Sequence, residues 1–208
     1  VIGTAVGMLL MIYGVGCNEL VSTLEDVMFE KSTVSEYQVK LSQDAPIADV
    51  NALNKELDGE LVMIDQIEVS KVKNPSTDEK KKQTITVVEG KGLYNILDVD
   101  NNIMQLKPGS IAVSRKLSET MNIKVGDTIY WHLYMKNTWY EAKVGAIYRD
   151  STTQGIAYLR EDYEKTGAEY TPSLLMTIKD ASDKECISFV TGVNGKQEMK
   201  DAYEKSME

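Results

Sequence analysis

The chain has 208 residues, 42% of them apolar and 26% charged: long enough to bury a core and too apolar for global disorder. Its 23 basic and 32 acidic residues give a formal charge of −9, the reverse of the balance in a generic nucleic-acid binder. Two cysteines, Cys17 and Cys186, exclude a disulfide scaffold, and a single histidine, His132, leaves little for a zinc site.

Val1–Cys17 carries no charged residue and holds four of the fourteen glycines. That length is at the lower edge of what crosses a bilayer, which takes about 20 residues. Val1, Gly3, Gly7, Leu10, Gly14 and Cys17 mark the expected membrane helix, and an initial Val rather than Met fits a window opening inside a longer helix. Gly3 and Gly7 share one helix face, a spacing that lets two helix backbones approach in lipid. A buried core helix and a signal sequence compete with this reading. Four glycines are poor for the first, and the missing positive leader region for the second. Leu20, Val21, Leu24, Val27 and Met28 then follow helical spacing among acidic residues, and no proline intervenes, so one helix is expected to leave the membrane as a stalk ending near residue 31.

Tyr37, Val39 and Leu41 alternate with polar residues as a half-buried strand. Asp44 and Pro46 open a helix with Ile47, Val50, Leu53 and Leu57 on one stripe, and Gly59 stops it. Leu61–Val72 is a second strand with Ile67 and Val69 inward, which completes a β-α-β unit. Residues 73–83 read as a polar hairpin tip whose Lys80, Lys81 and Lys82 form either a basic contact patch or a solvated run. Thr84–Val88 returns as a strand. Ser110–Val113 is a short strand, and Ser114 caps a helix carrying Leu117 and Met121. Ile129, Trp131, Leu133 and Met135 alternate with Thr128, Tyr130, His132 and Tyr134, and Lys136-Asn137 turns into a return strand from Trp139 to Tyr148. Ile156–Leu159 is another short strand and Arg160–Thr166 a polar helix. Leu174–Ile178 and Ile187–Val193 read as strands, and Gly195–Glu208 as a charged helix.

The fold class is therefore α+β. Residues 1–31 are a membrane helix end and stalk, residues 32–102 plus 171–208 a discontinuous α+β lobe, and residues 103–170 an inserted β-rich lobe. No chemistry stands out. Gly90-Lys91-Gly92 lacks the third glycine of a dinucleotide loop, and the Asp98–Asn102 run has Ile103 and Gly109 where a calcium loop needs Gly and Glu. His132 has no Gly-x-Ser-x-Gly partner, so the expected catalytic, cofactor and metal sets are empty. Trp131, Tyr130, Tyr134, Trp139, Tyr140 and Tyr148 crowd two paired strands. One face serves a core, and Trp139 and Tyr140, with Lys80–Lys82, are the candidates for a partner surface.

Three stretches carry a family resemblance. Val1–Gly16 resembles the first transmembrane helix of FtsX-like (MacB-like) ABC transporter permeases of Gram-positive type. Leu106–Ile129, with Lys-Pro-Gly-Ser-Ile-Ala-Val-Ser and Val-Gly-Asp, is similar to their strand-helix-turn-strand segment. Tyr140–Ile147 looks like the strand that follows. The resemblance implies an extracytoplasmic domain between two membrane helices, a discontinuous α+β lobe with a β-rich insertion and no enzymatic site. It also implies a plasma-membrane location with this domain extracellular. A cytoplasmic ABC ATPase subunit and a second permease copy or repeat are the implied partners, with no nucleic acid. A membrane-anchored or lipidated extracellular protein acting alone, for example as a hydrolase, is the alternative.

Overall fold

The structure, a computed structural model, describes residues 27–149 and 154–207. The expected membrane helix, with Val1, Gly3, Gly7, Leu10, Gly14 and Cys17, lies outside the described residues, as does most of the amphipathic stretch after it. Among the described residues no helix is long and apolar enough to cross a membrane.

The chain enters through a short helix of π geometry, Val27–Ser32 (α1), and then forms strand β1, Tyr37–Leu41. Helix α2 covers Ile47–Leu57 and buries Val50, Leu53 and Leu57. Ile47, expected on that stripe, is 44% exposed because it opens the first turn, beyond the sheet that covers the rest. The helix ends at Asp58 in the left-handed region. Gly59 follows because a Cβ there would sit 2.7 Å from the Met176 carbonyl oxygen.

Strand β2, Glu60–Ser70, is the longest in the chain's described part and is shared by two pairing systems. One edge pairs with β3, Lys81–Val88, from Val62 to Val69. The other edge pairs with β8, Leu174–Thr177, over Glu60–Val62 and with β5, Thr128–Leu133, over Ile67–Ser70. Strands β4 (Ile111–Ser114), β6 (Tyr140–Tyr148) and β7 (Gly155–Leu159) complete a ring in the order β2-β3-β7-β4-β6-β5 and back to β2. Outside the ring the sheet continues β2-β8-β1-β9, where β9 is Val190–Gly195. Helices α3 (Arg115–Met121), α4 (Arg160–Lys165) and α5 (Lys196–Met207) follow β4, β7 and β9 directly.

The α+β class holds. The expected β-α-β unit is split: β1 and β2 run parallel, with β8 antiparallel between them. The expected boundary near 102 and 171 crosses a continuous hydrogen-bonded network. Strands β2 and β3, expected in the discontinuous lobe, are two of the six ring strands, because eleven residues carry β2 well past the small sheet. The apolar interior separates into three clusters. One fills the ring around Trp131, Ile67, Ile85, Ile129 and Ile156. A second lies between α2 and the small sheet. A third, including Val62, Tyr94, Tyr148 and Met176, fills the space between them.

Several boundaries move. Lys81 and Lys82 belong to β3, opposite Val69 and Glu68, rather than to the hairpin tip. Met135 leaves strand geometry with φ of 69° and is 84% exposed, because the strand stops at Leu133. The strand expected at Ile187–Val193 begins at Val190, after a 3-10 turn over Ser182–Cys186.

Ring closure leaves no room at Gly155. Its φ is 152°, and a Cβ there would collide with the Thr84 backbone. Its N–H donates to the Ser114 hydroxyl at 3.0 Å, the same oxygen that caps α3. Gly155→Ala is expected to cost more than about 1 kcal/mol, because native backbone geometry there rejects a side chain. A lowered urea midpoint at unchanged slope checks this.

Candidate functional site

The described chain starts and finishes at one place. On α5, Lys196, Lys200 and Tyr203 fall at spacings of four and three and therefore share one face. That face meets α1. Phe29 is buried and stands edge-on to Tyr203, with ring centroids 6.1 Å apart. Glu30 accepts from Lys200 at 2.8 Å and from Lys196 at 3.2 Å, and these two bonds, Lys200 first, hold its carboxyl below the ordinary glutamate value. Glu30 is half exposed, so the ion pairs orient the two helices more than they stabilise them. The Lys196 N–H donates to the Glu36 carbonyl at 2.8 Å, which fixes the start of α5 to the start of β1.

A second constellation links this end to the ring. The Glu60 side chain is fully buried at the first residue of β2. Its Oε1 accepts from the N–H groups of Gly90 and Lys91 at 2.8 and 3.2 Å. Its Oε2 accepts from those of Leu93 and Tyr94 at 2.8 and 3.2 Å. A buried carboxylate is tolerated only when its lone pairs are met, and four backbone donors meet them. The other side of the same loop holds the entry segment. Val34 N–H donates to the Leu93 carbonyl at 3.0 Å, and Asn95 N–H to the Ser32 carbonyl at 2.7 Å. Asn95 Nδ2 donates to the Lys31 carbonyl at 2.9 Å.

Beside it, Glu89 accepts from the Leu61 N–H at 3.3 Å and pairs with Lys91 at 2.9 Å and with Arg160. The Arg160 guanidinium lies 4.5 Å over the Tyr170 ring, whose buried hydroxyl has no hydrogen-bond partner among the described residues. Burial pushes the Tyr170 phenol above its ordinary value.

The third constellation is on the outer face of the ring, about 26 Å along β2 from Glu60 at roughly 3.3 Å per residue. Glu68 pairs with His132 Nε2 at 2.8 Å and with Lys80 at 3.5 Å. Burial would raise the Glu68 carboxyl, but His132 and Lys80 hold it below the ordinary value. His132 Nδ1 faces the carbonyls of Leu133 and Lys136 at 3.0 and 2.6 Å, so both ring nitrogens are engaged by oxygens. Trp139 covers the imidazole at 4.3 Å, with Lys80 5.4 Å above the indole. Lys82 lies 4.0 Å over Tyr134.

The candidate partner residues thus divide. Lys80, Lys82 and Trp139 meet on this outer patch. Tyr140 turns inward onto Trp131, with centroids 4.8 Å apart, as strand alternation requires of its neighbour. Lys81 stays exposed at the ring mouth without joining the patch. No motif in the sequence marks Glu60, Glu30 or Asn95 for these roles, and the first two are two of 32 acids. An open cavity of about 490 Å³ also lies between β1, β9 and the 3-10 turn, lined by Tyr37, Glu36, Glu185 and Glu198. No group of three or more His, Cys, Asp or Glu side chains among the described residues is placed to hold a metal ion.

No family model matches the sequence, and no curated protein matches it. Among solved structures, the crystal structure of the periplasmic region of MacB from Actinobacillus actinomycetemcomitans is similar, with a TM-score of 0.51 and 9% identity. The match covers 84% of this chain and 95% of that one. At that identity the likeness is one of fold.

Glu89 supplies a test of the buried cluster. Burial would raise its carboxyl, yet Lys91, Arg160 and the Leu61 amide hold it below the ordinary 4.5. A folded value below the unfolded one means the stabilisation is complete above about pH 4.5 and is lost as pH falls through the folded value. Glu89→Gln should therefore lower stability near pH 7 and flatten its decline between about pH 5 and pH 3, read from urea midpoints across that range.

Proposed function

We propose that this chain contains the extracytoplasmic domain of an ABC transporter permease subunit, of the MacB-like, FtsX-like type, lying outside the plasma membrane. The domain has no enzymatic role and couples membrane-helix motion to a substrate or partner. The observation that carries this reading is the clasp between α1 and α5. A domain inserted between two membrane helices must receive and return the chain at one place, and Phe29, Glu30, Lys196, Lys200 and Tyr203 hold the two ends together. The likeness in fold to the periplasmic region of MacB supports it.

On this reading Val1–Cys17 is the end of the first membrane helix, and a second permease copy or repeat completes the translocation unit. Energy on this reading comes from a cytoplasmic ABC ATPase subunit. The partner surface is the outer patch of Lys80, Lys82, Trp139, Tyr134 and the exposed Met135, which lies at the far end of β2 from the clasp. The two regions expected to act as separate lobes serve as the base and head of one lever, joined through β2 and β3.

A flexible glycine-serine segment inserted between Glu30 and Ser35 in the full-length protein should leave folding and ATP hydrolysis measurable while transport or signalling falls about tenfold or more. Undiminished function with that insertion would remove rigid coupling as the mechanism. In parallel, Trp139→Ala combined with Lys82→Glu should weaken partner capture in crosslinking without changing the thermal midpoint by more than about 4 °C, because both side chains sit at the surface of the ring.

A further inference from the structure

We propose that the buried Glu60 carboxylate is a latch that ties the entry segment to the ring, so that displacement of residues 31–34 is delivered to β2 rather than absorbed by the loop between them. The importance of this latch for transport rests on the coupling reading above; its existence does not.

The loop Gly90–Asn95 bridges residues 31–34 and the neighbourhood of β2's start through backbone hydrogen bonds. Loops of this kind, with Gly90 and Gly92 both at positive φ, are ordinarily compliant. Here one side of the loop is gathered on a single carboxylate by the amides of residues 90, 91, 93 and 94. The other side is bonded to the carbonyls of Lys31 and Ser32 and the amide of Val34. Tyr94, whose side chain is buried with Val62 and Met176, anchors the middle. The carboxylate belongs to the residue that opens β2, and β2 continues without interruption to Glu68 and the outer patch. A path of hydrogen bonds therefore runs from the entry helix through the loop, into Glu60 and along one strand. Lys91 reinforces it from outside, with its ammonium on the Gly59 carbonyl at 2.7 Å.

An amide in place of the carboxylate breaks the grip chemically. In Glu60→Gln one oxygen remains to accept, and the NH2 faces two N–H donors that it cannot bond. The test is hydrogen exchange on the whole chain in detergent, comparing the parent with Glu60→Gln. The amides of Gly90, Lys91, Leu93 and Tyr94 are expected to exchange about tenfold faster or more, and those of Val34 and Asn95, which bond the entry segment, are expected to accelerate with them. Ring amides of Ile129, Trp131 and Ile156 should keep parent rates. Acceleration that stops at residues 90–94 and leaves Val34 and Asn95 protected would falsify the latch, and so would an equal acceleration in the ring.

If Glu60→Gln does not fold, Asn95→Ala answers the same question from the other side, because coupling is reciprocal. Removing the Asn95 Nδ2 bonds, to the Lys31 carbonyl at 2.9 Å and the Gly92 carbonyl at 3.2 Å, should speed exchange at Leu93 and Gly90 as well as at Asn95, and parent rates at Leu93 and Gly90 would overturn the proposal. No ATPase enters either measurement. A chain that proves not to be a transporter subunit leaves the exchange result standing, and a failed latch leaves the transporter reading to its own test.

Discussion

Strand β2 can serve two pairing systems only if its first residue is held in place. At that residue the small sheet gives way to the ring, and a strand end at such a junction would fray if left to its three-residue pairing with β8. The Glu60 carboxylate prevents this by bonding four loop amides from a site with no solvent. Two consequences follow. The loop closes over the third apolar cluster, and the entry segment acquires a seat on it. Glu89 and Arg160 then complete the charge pattern around the junction, with Arg160 shared between Glu89 and Glu164.

Charge in this acidic chain is used locally. Lys196 and Lys200 are both on Glu30, and Lys80 is on Glu68. Lys91 spans Glu89 and the Gly59 carbonyl. The exposed pairs among these contribute little to stability individually, but each sets the angle at which two elements meet. The electrostatics of the molecule are thus chiefly geometric: one group of pairs sets entry and exit, another sets the start of β2, and a third fixes the hairpin after β5 through His132.

Much of the fold was legible in periodicity. Helix α2 follows from Val50, Leu53 and Leu57 at helical spacing, and strands β1 and β5 from Val39 and Leu41 and from Ile129, Trp131 and Leu133 at a spacing of two. The stretch from Leu106 to Ile129 forms the strand, helix and turn that the family resemblance implied. Ring closure was not legible, because it depends on β3 pairing with β7 and β2 pairing with β5 across large separations, and no local pattern encodes that choice. Glu60 was hidden for another reason. Its partners are backbone amides thirty or more positions away, which leave no side-chain identity in the sequence to find. Tyr140 and Trp139, adjacent in the chain, were grouped as surface candidates, yet alternation sends one into the core and leaves the other over His132.

The placement of β1 also dictates an order of assembly. Both of its strand partners, β8 and β9, lie more than 130 residues further along the chain. During synthesis the ring strands are complete once Leu159 has emerged, whereas Tyr37–Leu41 has nothing to pair with until Leu174–Thr177 follows. Contacts between residues so distant in sequence are the slow ones. The small sheet, and with it the clasp between α1 and α5, therefore forms last, after the ring. Until then the apolar face of α2 is uncovered, and this interval is the one in which the nascent chain is most open to misassociation.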